Sequence, residues 1–216
     1  MLAVLLSILA FAMASPSAAQ SGPELIEAAQ KGDLAAVERL LARGAGVDAR
    51  DGSGRTALLA ATHGNHVAVA RALIAAGADV NAKDSLEDSP YLYAGAEGRS
   101  EILKLTLAAG ADLKSTNRYG GTALIPAAHH GHPEVVKILL ATAIDKDHVN
   151  KLGWTALLEA VILGDGGAAH TEIVRLLVAA GANVNIADRD GVTPLAHAKK
   201  SGYSAMARIL SAAGAR

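Results

Sequence analysis

The chain has no cysteine, and this absence removes several kinds of chemistry at once. It excludes disulfides, a thiolate nucleophile and any cysteine-ligated metal site. Aromatic residues make up only 3% of the 216 residues, whereas apolar residues make up 51%. Because strands favour aromatic and β-branched side chains, we expect small aliphatic residues packed in short helices and not a β-sandwich.

A dominant charge of either sign is also missing. The chain has 20 Lys and Arg against 21 Asp and Glu, with a formal net charge of −1. Such a balance lacks the basic surface that binds nucleic acid or an anionic membrane, so we expect neither as a partner. Motifs of nucleophilic hydrolases, phosphate-binding loops and zinc proteases are absent too. We therefore expect no enzymatic activity and no cofactor.

Residues 1–19 form an uncharged, mostly apolar segment. Its apolar run has the length of a signal-peptide core and is too short for a membrane span. Small residues at 17–19 fit a cleavage site, as do those at 12–14, although no Lys or Arg precedes the run. We expect a cleaved leader over 1–19 and a periplasmic or secreted bacterial protein over 20–216, with a buried or anchoring helix as the alternative.

Residues 117–140 predict a turn, a short helix, a tight reversal and a second helix. After a polar, glycine-containing turn, the hydroxyl of Thr122 is expected to cap the first helix by accepting a backbone N–H. Pro126 lies just past the first helical turn and should remove only about one helical hydrogen bond. Gly131 is placed to end this helix in the left-handed conformation, and Pro133 opens the second helix.

This unit recurs along the chain at a nearly fixed period. The residue that opens each turn recurs at intervals of 33, 33, 33 and 38 residues, as Asp51, Asp84, Asn117, Asn150 and Asp188. A hydroxyl residue follows each of them in register, as Thr56, Ser89, Thr122, Thr155 and Thr193. A repeat of 20–50 residues is typical of a solenoid, in which stacked units bury a continuous core.

A Gly-Ala-Asp/Asn phrase closes the second helices at residues 77–79, 110–112 and 181–183. Together with the period, it resembles the ankyrin repeat, whose signature is T-P-L-H-x-A. Thr193-Pro194-Leu195 and Gly131-His132 match that signature locally. The resemblance implies an all-α solenoid of about six helix-turn-helix repeats, of which the first and last are caps. The repeats are expected at about 22–50, 51–83, 84–116, 117–149, 150–187 and 188–216.

Several positions depart from the repeat. Asn65 stands where the family has glycine between its helices, and we expect it to adopt a positive φ. Glu87 replaces a turn glycine, while Tyr91 and Tyr93 replace small aliphatic residues and are expected in the core. The fourth repeat lacks the Gly-Ala-Asp phrase, so its connection to the fifth should be irregular. Five extra residues within 164–171 predict a glycine-rich loop between the helices of the fifth repeat, where a partner could make contact.

The resemblance also implies a binding surface. In the family, the turns and the ends of the first helices line a concave recognition face. Carried over by position, the expected partner-binding residues are Ser53, Arg55, Leu86, Asp88, Arg118, Tyr119, His129, His130, Lys151, Trp154, Arg189 and Asp190. Trp154 is the sole tryptophan, and we expect either a binding hot spot there or packing against Tyr119 or Arg118 of the neighbouring turn. The predicted function is a monomeric, non-enzymatic scaffold for an exported partner protein.

Histidines leave other interpretations open. His66 and His132 fall at the family's Gly-His position and are expected to be structural. A metal-binding or small-molecule-binding protein that uses His129, His130, Asp165 and His170 is one alternative, although no carboxylate lies at ligand spacing beside the first two. Another alternative is an immunity-type protein that covers the active site of an enzyme.

Overall fold

The computed structural model describes residues 18–216. In this range the chain forms twelve α-helices and no β-strand. The helices are α1 Ala18–Lys31, α2 Leu34–Ala42, α3 Ala57–His63, α4 Val67–Ala75, α5 Pro90–Ala96, α6 Ser100–Ala108, α7 Leu124–His129, α8 Pro133–Leu140, α9 Ala156–Ile162, α10 Ala168–Ala179, α11 Pro194–Lys200 and α12 Ser204–Ala212. The predicted leader lies outside the described residues, except that Ala18 and Ala19 begin α1. None of the described helices is long and apolar enough to cross a membrane.

The helices form six pairs that stack in two layers. The first helices of the pairs, α1, α3, α5, α7, α9 and α11, pack against one another in chain order. The second helices, α2, α4, α6, α8, α10 and α12, do the same on the other side. This arrangement confirms the all-α solenoid of six helix-turn-helix repeats. We call the side formed by the first helices and the turns before them the inner face.

The core consists of small and medium aliphatic side chains, because each first helix has neighbours on several sides. In α3, all six residues from Ala57 to Thr62 are buried. Burying one Leu or Val side chain contributes about 1.5–3 kcal/mol, so the stack gains stability from many similar contacts. Tyr91 is fully buried, as expected. Tyr93 is only half-buried, so the prediction that it lies in the core is wrong: it stacks on His63 with ring centroids 4.0 Å apart.

The five turns share one hydrogen-bond pattern that explains why each opens with Asp or Asn. The side-chain Oδ1 of the opening residue accepts the backbone N–H groups two and four residues later in every case. Asn150, for example, accepts from Leu152 at 2.9 Å and from Trp154 at 3.0 Å. A short side chain with an acceptor oxygen is needed for this geometry. The turn tips are therefore held firmly.

The hydroxyl residues cap four of the five first helices that follow a turn, namely those after Thr56, Ser89, Thr155 and Thr193. The predicted cap at Thr122 is wrong: α7 begins only at Leu124, and the buried Thr122 Oγ1 has no hydrogen-bond partner. Pro126 is the reason. It lacks the N–H that would bond to the Thr122 carbonyl, which accepts instead from Ile125 N at 3.1 Å. In the capped repeats, the N–H equivalent to that of Ile125 bonds to the hydroxyl.

Local departures from the repeat have the expected backbone consequences. The positive φ predicted for Asn65 is confirmed, with φ 55°. Glu87, which also replaces a glycine, has φ 63°. The connection after the fourth repeat is irregular, as predicted, because the Thr142 hydroxyl donates to Leu139 O at 2.6 Å and accepts from Ile144 N at 3.2 Å.

The insertion in the fifth repeat differs from the prediction. Residues 168–171 form the first turn of α10, so only 164–167 form a loop. The extra turn extends α10 to 12 residues, whereas α8 has 8.

Candidate functional site

Three large apolar side chains are exposed at the same position of three consecutive turns. Leu86 is 56% exposed, Tyr119 51% and Leu152 45%. Each follows the turn-opening residue by two positions, where the flanking repeats carry the polar residues Ser53 and Asp190. We call Leu86, Tyr119 and Leu152 the apolar ridge. An exposed apolar patch with polar surroundings is typical of an interaction surface.

A cavity of about 400 Å³ lies beside the ridge on the inner face of the third, fourth and fifth repeats. We call it the inner cavity. Its lining comes from α5, α7, α9 and the adjoining turns: Asp88, Tyr93, Ala96, Glu97, Asn117, Arg118, Tyr119, Gly121, Ile125, Pro126, His129, His130, Asn150, Leu152, Glu159 and Leu163. Its volume falls within the range of roughly 300–1,000 Å³ that is typical of small-molecule binding sites. The ridge and the cavity therefore form one continuous surface.

Glu159 contributes a buried carboxyl group to this cavity. The residue is 5% exposed, and its Oε1 accepts a hydrogen bond from Asn150 Nδ2 at 2.8 Å. The other oxygen, Oε2, lies 3.7 Å from His129 Nδ1. Burial raises the pKa of Glu159 to about 7, and the Asn150 hydrogen bond opposes this shift. Perturbed carboxyl groups in a cleft mark candidate functional sites.

Sequence reasoning missed Glu159, although the register contained a signal. The same position, four residues after the capping residue, holds Ala60, Tyr93, Pro126 and His197 in the other turn-containing repeats. His197 Nε2 reaches back to Asp188 Oδ2 at 2.7 Å, the same nine-residue pairing as that of Asn150 with Glu159. Comparing the repeats column by column would have placed Glu159 on the inner face.

Other charged groups around the cavity are mostly acidic. No hydrogen bond or ion pair within 4 Å engages the carboxylates of Asp88 and Glu97 in the part of the chain that the structure describes. Burial raises the pKa of Asp88.

The guanidinium of Arg118 lies over the Tyr119 ring, 4.9 Å from its centroid. Burial, followed by the charge of His130, lowers the pKa of His129, which favours a neutral imidazole there.

Several predicted contact residues also form hydrogen bonds or ion pairs within the protein. Lys151 Nζ donates to Arg118 O of the preceding turn at 3.0 Å, and an Arg189 guanidinium nitrogen donates to Lys151 O. These long side chains fasten successive turns together. Ser53 Oγ donates to Asp51 Oδ1 at 2.6 Å, and Arg55 forms an ion pair with the same carboxylate at 3.1 Å.

Trp154, the sole tryptophan, lies in the turn before α9. It is half-buried, and it does not line the inner cavity. The described residues include no ring stacking or cation–π contact that involves it, and Tyr119 is covered by Arg118 instead. Of the predicted residues, the cavity brings together Asp88, Arg118, Tyr119, His129 and His130, with Leu86 beside it on the ridge. Ser53, Arg55, Lys151, Trp154, Arg189 and Asp190 lie outside the cavity.

The histidines considered for a metal site have other partners. Between residues 18 and 216, no group of three or more His, Cys, Asp or Glu residues is arranged to hold a metal ion. His170 Nδ1 lies 2.9 Å from Asp165 Oδ1, and its Nε2 lies 2.8 Å from the carbonyl oxygen of His129. Both ring nitrogens of His170 therefore have hydrogen-bond partners within the protein. His66 likewise bonds through Nε2 to Gln30 O at 3.0 Å, across the repeat boundary.

The known proteins that this chain resembles all contain ankyrin repeats. A family model for ankyrin repeats matches residues 25–117 and 91–188. An ankyrin repeat domain from Acinetobacter baumannii AYE is 55% identical, with a TM-score of 0.87 over 89% of this chain and 98% of that one. The human ASB11 ankyrin repeat domain is 29% identical, with a TM-score of 0.76 over 89% of this chain and 84% of its own. The ankyrin repeat protein YahD of Escherichia coli K12 is 44% identical over 57 residues, which span 26% of this chain and 28% of YahD.

Proposed function

Since this chain belongs to the ankyrin-repeat family, whose repeats mediate protein–protein interaction, we propose that it holds a partner protein on the inner face of its third to fifth repeats. The observation that carries the proposal is the apolar ridge beside the inner cavity. Leu86, Tyr119 and Leu152 are the members of a single turn position that are both large and apolar, and they stand in consecutive repeats. Water-exposed apolar side chains in register become favourable contacts when a partner covers them.

Rigid turns support this proposal. The turns are linked by backbone hydrogen bonds, from Lys151 N to Tyr119 O and from Ser85 N to Ser53 O, each 2.9 Å long. Side chains such as Lys151 add further links. A surface that is already ordered loses little conformational entropy when it binds. The scaffold we propose is non-enzymatic and recognises its partner as a preformed surface.

The partner is proposed to be an exported protein, because residues 1–19 have the composition of a secretory leader. The scaffold would then act in the periplasm or outside the cell. A partner that is an enzyme, blocked by this face, is one case of the same proposal. The experiment below would identify it.

The test compares capture by residues 20–216 with capture by the Tyr119→Ser/Leu152→Ser double variant. We expect the unmodified protein to capture a partner from periplasmic extract, and the double variant to bind it at least about 30-fold more weakly. This follows because truncating one interface hot spot removes about 2 kcal/mol or more. Affinity for the identified partner would be measured by calorimetry.

The matched control is Glu101→Ala/Glu134→Ala, which changes exposed residues of the second helices α6 and α8, away from the inner face. Its affinity should equal that of the unmodified protein. Equal capture by the ridge variant and the unmodified protein would reject the ridge as the binding surface.

A further inference from the structure

We propose that the inner cavity is a socket for one basic side chain, an arginine or lysine of the bound partner, with the Glu159 carboxylate as its counter-charge. The inference rests on the proposed function, since the partner supplies the side chain. Glu159 Oε1 is held by Asn150, whereas no hydrogen bond to Oε2 exists among residues 18–216. A buried carboxylate oxygen that faces a cavity without a donor is stabilised strongly when a cationic donor arrives.

The balance of charge selects a cation over an anion. Three carboxyl groups, those of Asp88, Glu97 and Glu159, line the cavity, against the single permanent positive charge of Arg118. That charge is directed to the Tyr119 ring, 4.9 Å from the centroid. The imidazoles of His129 and His130 also face the cavity, and burial lowers the pKa of His129. The cavity is therefore acidic at neutral and higher pH.

The aromatic walls suit the same ligand. Tyr93 is fixed by its stack on His63, with an interplanar angle of 30°, and it lines the cavity together with Tyr119. Aromatic faces attract ammonium and guanidinium groups, with arginine the more frequent partner. Arg118 already makes such a contact with Tyr119 from within the chain. A planar guanidinium can donate to Glu159 Oε2 and stack on a tyrosine at the same time.

The apolar ridge indicates which residues of the partner stand beside its arginine or lysine. Tyr119 and Leu152 belong to both the ridge and the cavity lining, so the socket opens directly onto apolar surface. A partner segment in which arginine or lysine stands between apolar residues can fill the socket and cover the ridge together. Leu-Arg-Leu is the simplest sequence of this kind.

The test uses a defined probe and a neutral isostere of it. Acetyl-Leu-Arg-Leu-amide is titrated into residues 20–216 at pH 8 and followed by ¹⁵N-resolved NMR. Acetyl-Leu-citrulline-Leu-amide has the same shape without the charge, and acetyl-Leu-Glu-Leu-amide reverses the charge. We expect saturable binding of the arginine peptide that shifts the amide resonances around the cavity. The citrulline peptide should bind at least tenfold more weakly, and the glutamate peptide should not bind.

Two variants separate the socket from general charge effects. Glu159→Gln keeps an acceptor for Asn150 but removes the counter-charge, so we expect at least a tenfold loss for the arginine peptide and little change for the citrulline peptide. Glu134→Gln removes an exposed carboxylate of α8 and should change neither affinity. The amide spectra of both variants report whether the fold is retained.

Equal affinity for the arginine and citrulline peptides, unchanged binding by Glu159→Gln, preference for the glutamate peptide, or no saturable binding up to 20 mM peptide would each overturn the socket. These outcomes leave the proposed function in place if the ridge variant still loses the partner. Loss of the proposed function would show instead as equal capture by the ridge variant.

Discussion

Glu159 is a group whose burial should be visible in the pH dependence of stability. Its pKa in the folded protein is about 7, above the ordinary value of 4.5, because burial disfavours the carboxylate. The folded state therefore holds this proton more tightly than the unfolded state does. Stability from this group is greatest below about pH 4.5 and is lost as the pH rises through about 7. At higher pH, the charged carboxylate destabilises the fold by at most about 3 kcal/mol.

A neutral side chain at position 159 should therefore stabilise the fold at high pH. Replacing Glu159 with Gln removes the charge and keeps an acceptor for Asn150. We expect Glu159→Gln to raise the free energy of unfolding at pH 8 by about 1–3 kcal/mol and to change it little at pH 5. Urea unfolding at both pH values measures the difference. Glu134→Gln, on the exposed side of α8, should show no such gap, and an equal effect of Glu159→Gln at the two pH values would contradict the assignment.

Because the Glu159 carboxylate weakens the fold at neutral pH, its presence cannot be explained by stability. The equivalent position in α3 is filled by Ala60, so an apolar side chain is compatible with the repeat. A binding role for Glu159 would explain why a costly residue stands there.

At the scale of elements, α7 is the exception among the first helices of the turn-containing repeats. It begins at Leu124, two residues after Thr122, and it has no side-chain cap. Pro126 removes one N–H, and the Thr122 carbonyl then takes the N–H of Ile125. One proline thus removes both a backbone hydrogen bond and a cap. The Thr122 hydroxyl is left buried without a partner.

The second prediction concerns this helix. Pro126→Ala should restore the N–H to the Thr122 carbonyl and free Ile125 N for the Thr122 hydroxyl. We expect the free energy of unfolding to rise by about 1–2 kcal/mol, the size of a regained cap together with a backbone hydrogen bond. Urea unfolding gives the value.

A double-mutant cycle with Thr122→Val identifies the cause. In the native sequence, Thr122→Val should be neutral or stabilising, because the hydroxyl has no partner. In the Pro126→Ala background, the same change should cost about 1 kcal/mol, as we expect for Thr155→Val, whose hydroxyl caps α9. A zero coupling energy would show that the cap does not form.

At the scale of the whole molecule, the helices of each described repeat pack mainly within that repeat and against its neighbours in the stack. Stability in such a chain is approximately a sum of repeat and interface contributions, so the end repeats unfold more readily than central ones. Leu139 of α8 and Leu210 of α12 occupy equivalent positions and are both fully buried. They allow the same side chain to be tested at the centre and at the end.

The third prediction compares Leu139→Ala with Leu210→Ala. Each should remove about 2–5 kcal/mol through lost burial and a residual cavity. Amide hydrogen exchange should report faster opening throughout the stack for Leu139→Ala. For Leu210→Ala, we expect the increase to be confined to α11, α12 and the adjoining α9 and α10. Identical exchange patterns in the two variants would contradict nearest-neighbour stability.

Much of the fold could be predicted because its determinants are local and repeated. Asp or Asn opens every turn since a short acceptor side chain must bond to two nearby N–H groups. Asn65 could replace glycine because it tolerates a positive φ. The failure of the Thr122 cap depends only on a proline four residues away, so local reasoning could have reached it.

The candidate site was predictable only in part. Position within the repeat brought Asp88, Arg118, Tyr119, His129 and His130 into the predicted set, and the structure places these five around one cavity. The same positional reasoning also named Trp154, Lys151 and Arg189, which lie outside the cavity. Lys151 and Arg189 form hydrogen bonds to neighbouring turns, which the position in the repeat did not indicate.

The sequence by itself determined the period, the helix-turn-helix unit and the all-α stack, because each depends on residues within one repeat. Only the tertiary structure decided that Glu159 is buried beside Asn150 and His129, that Tyr93 faces a cavity, and that α10 absorbs most of the insertion. Glu159 and His129 are 30 positions apart in different repeats. Their proximity, the burial that shifts the Glu159 pKa and the cavity between them exist only once the repeats are stacked.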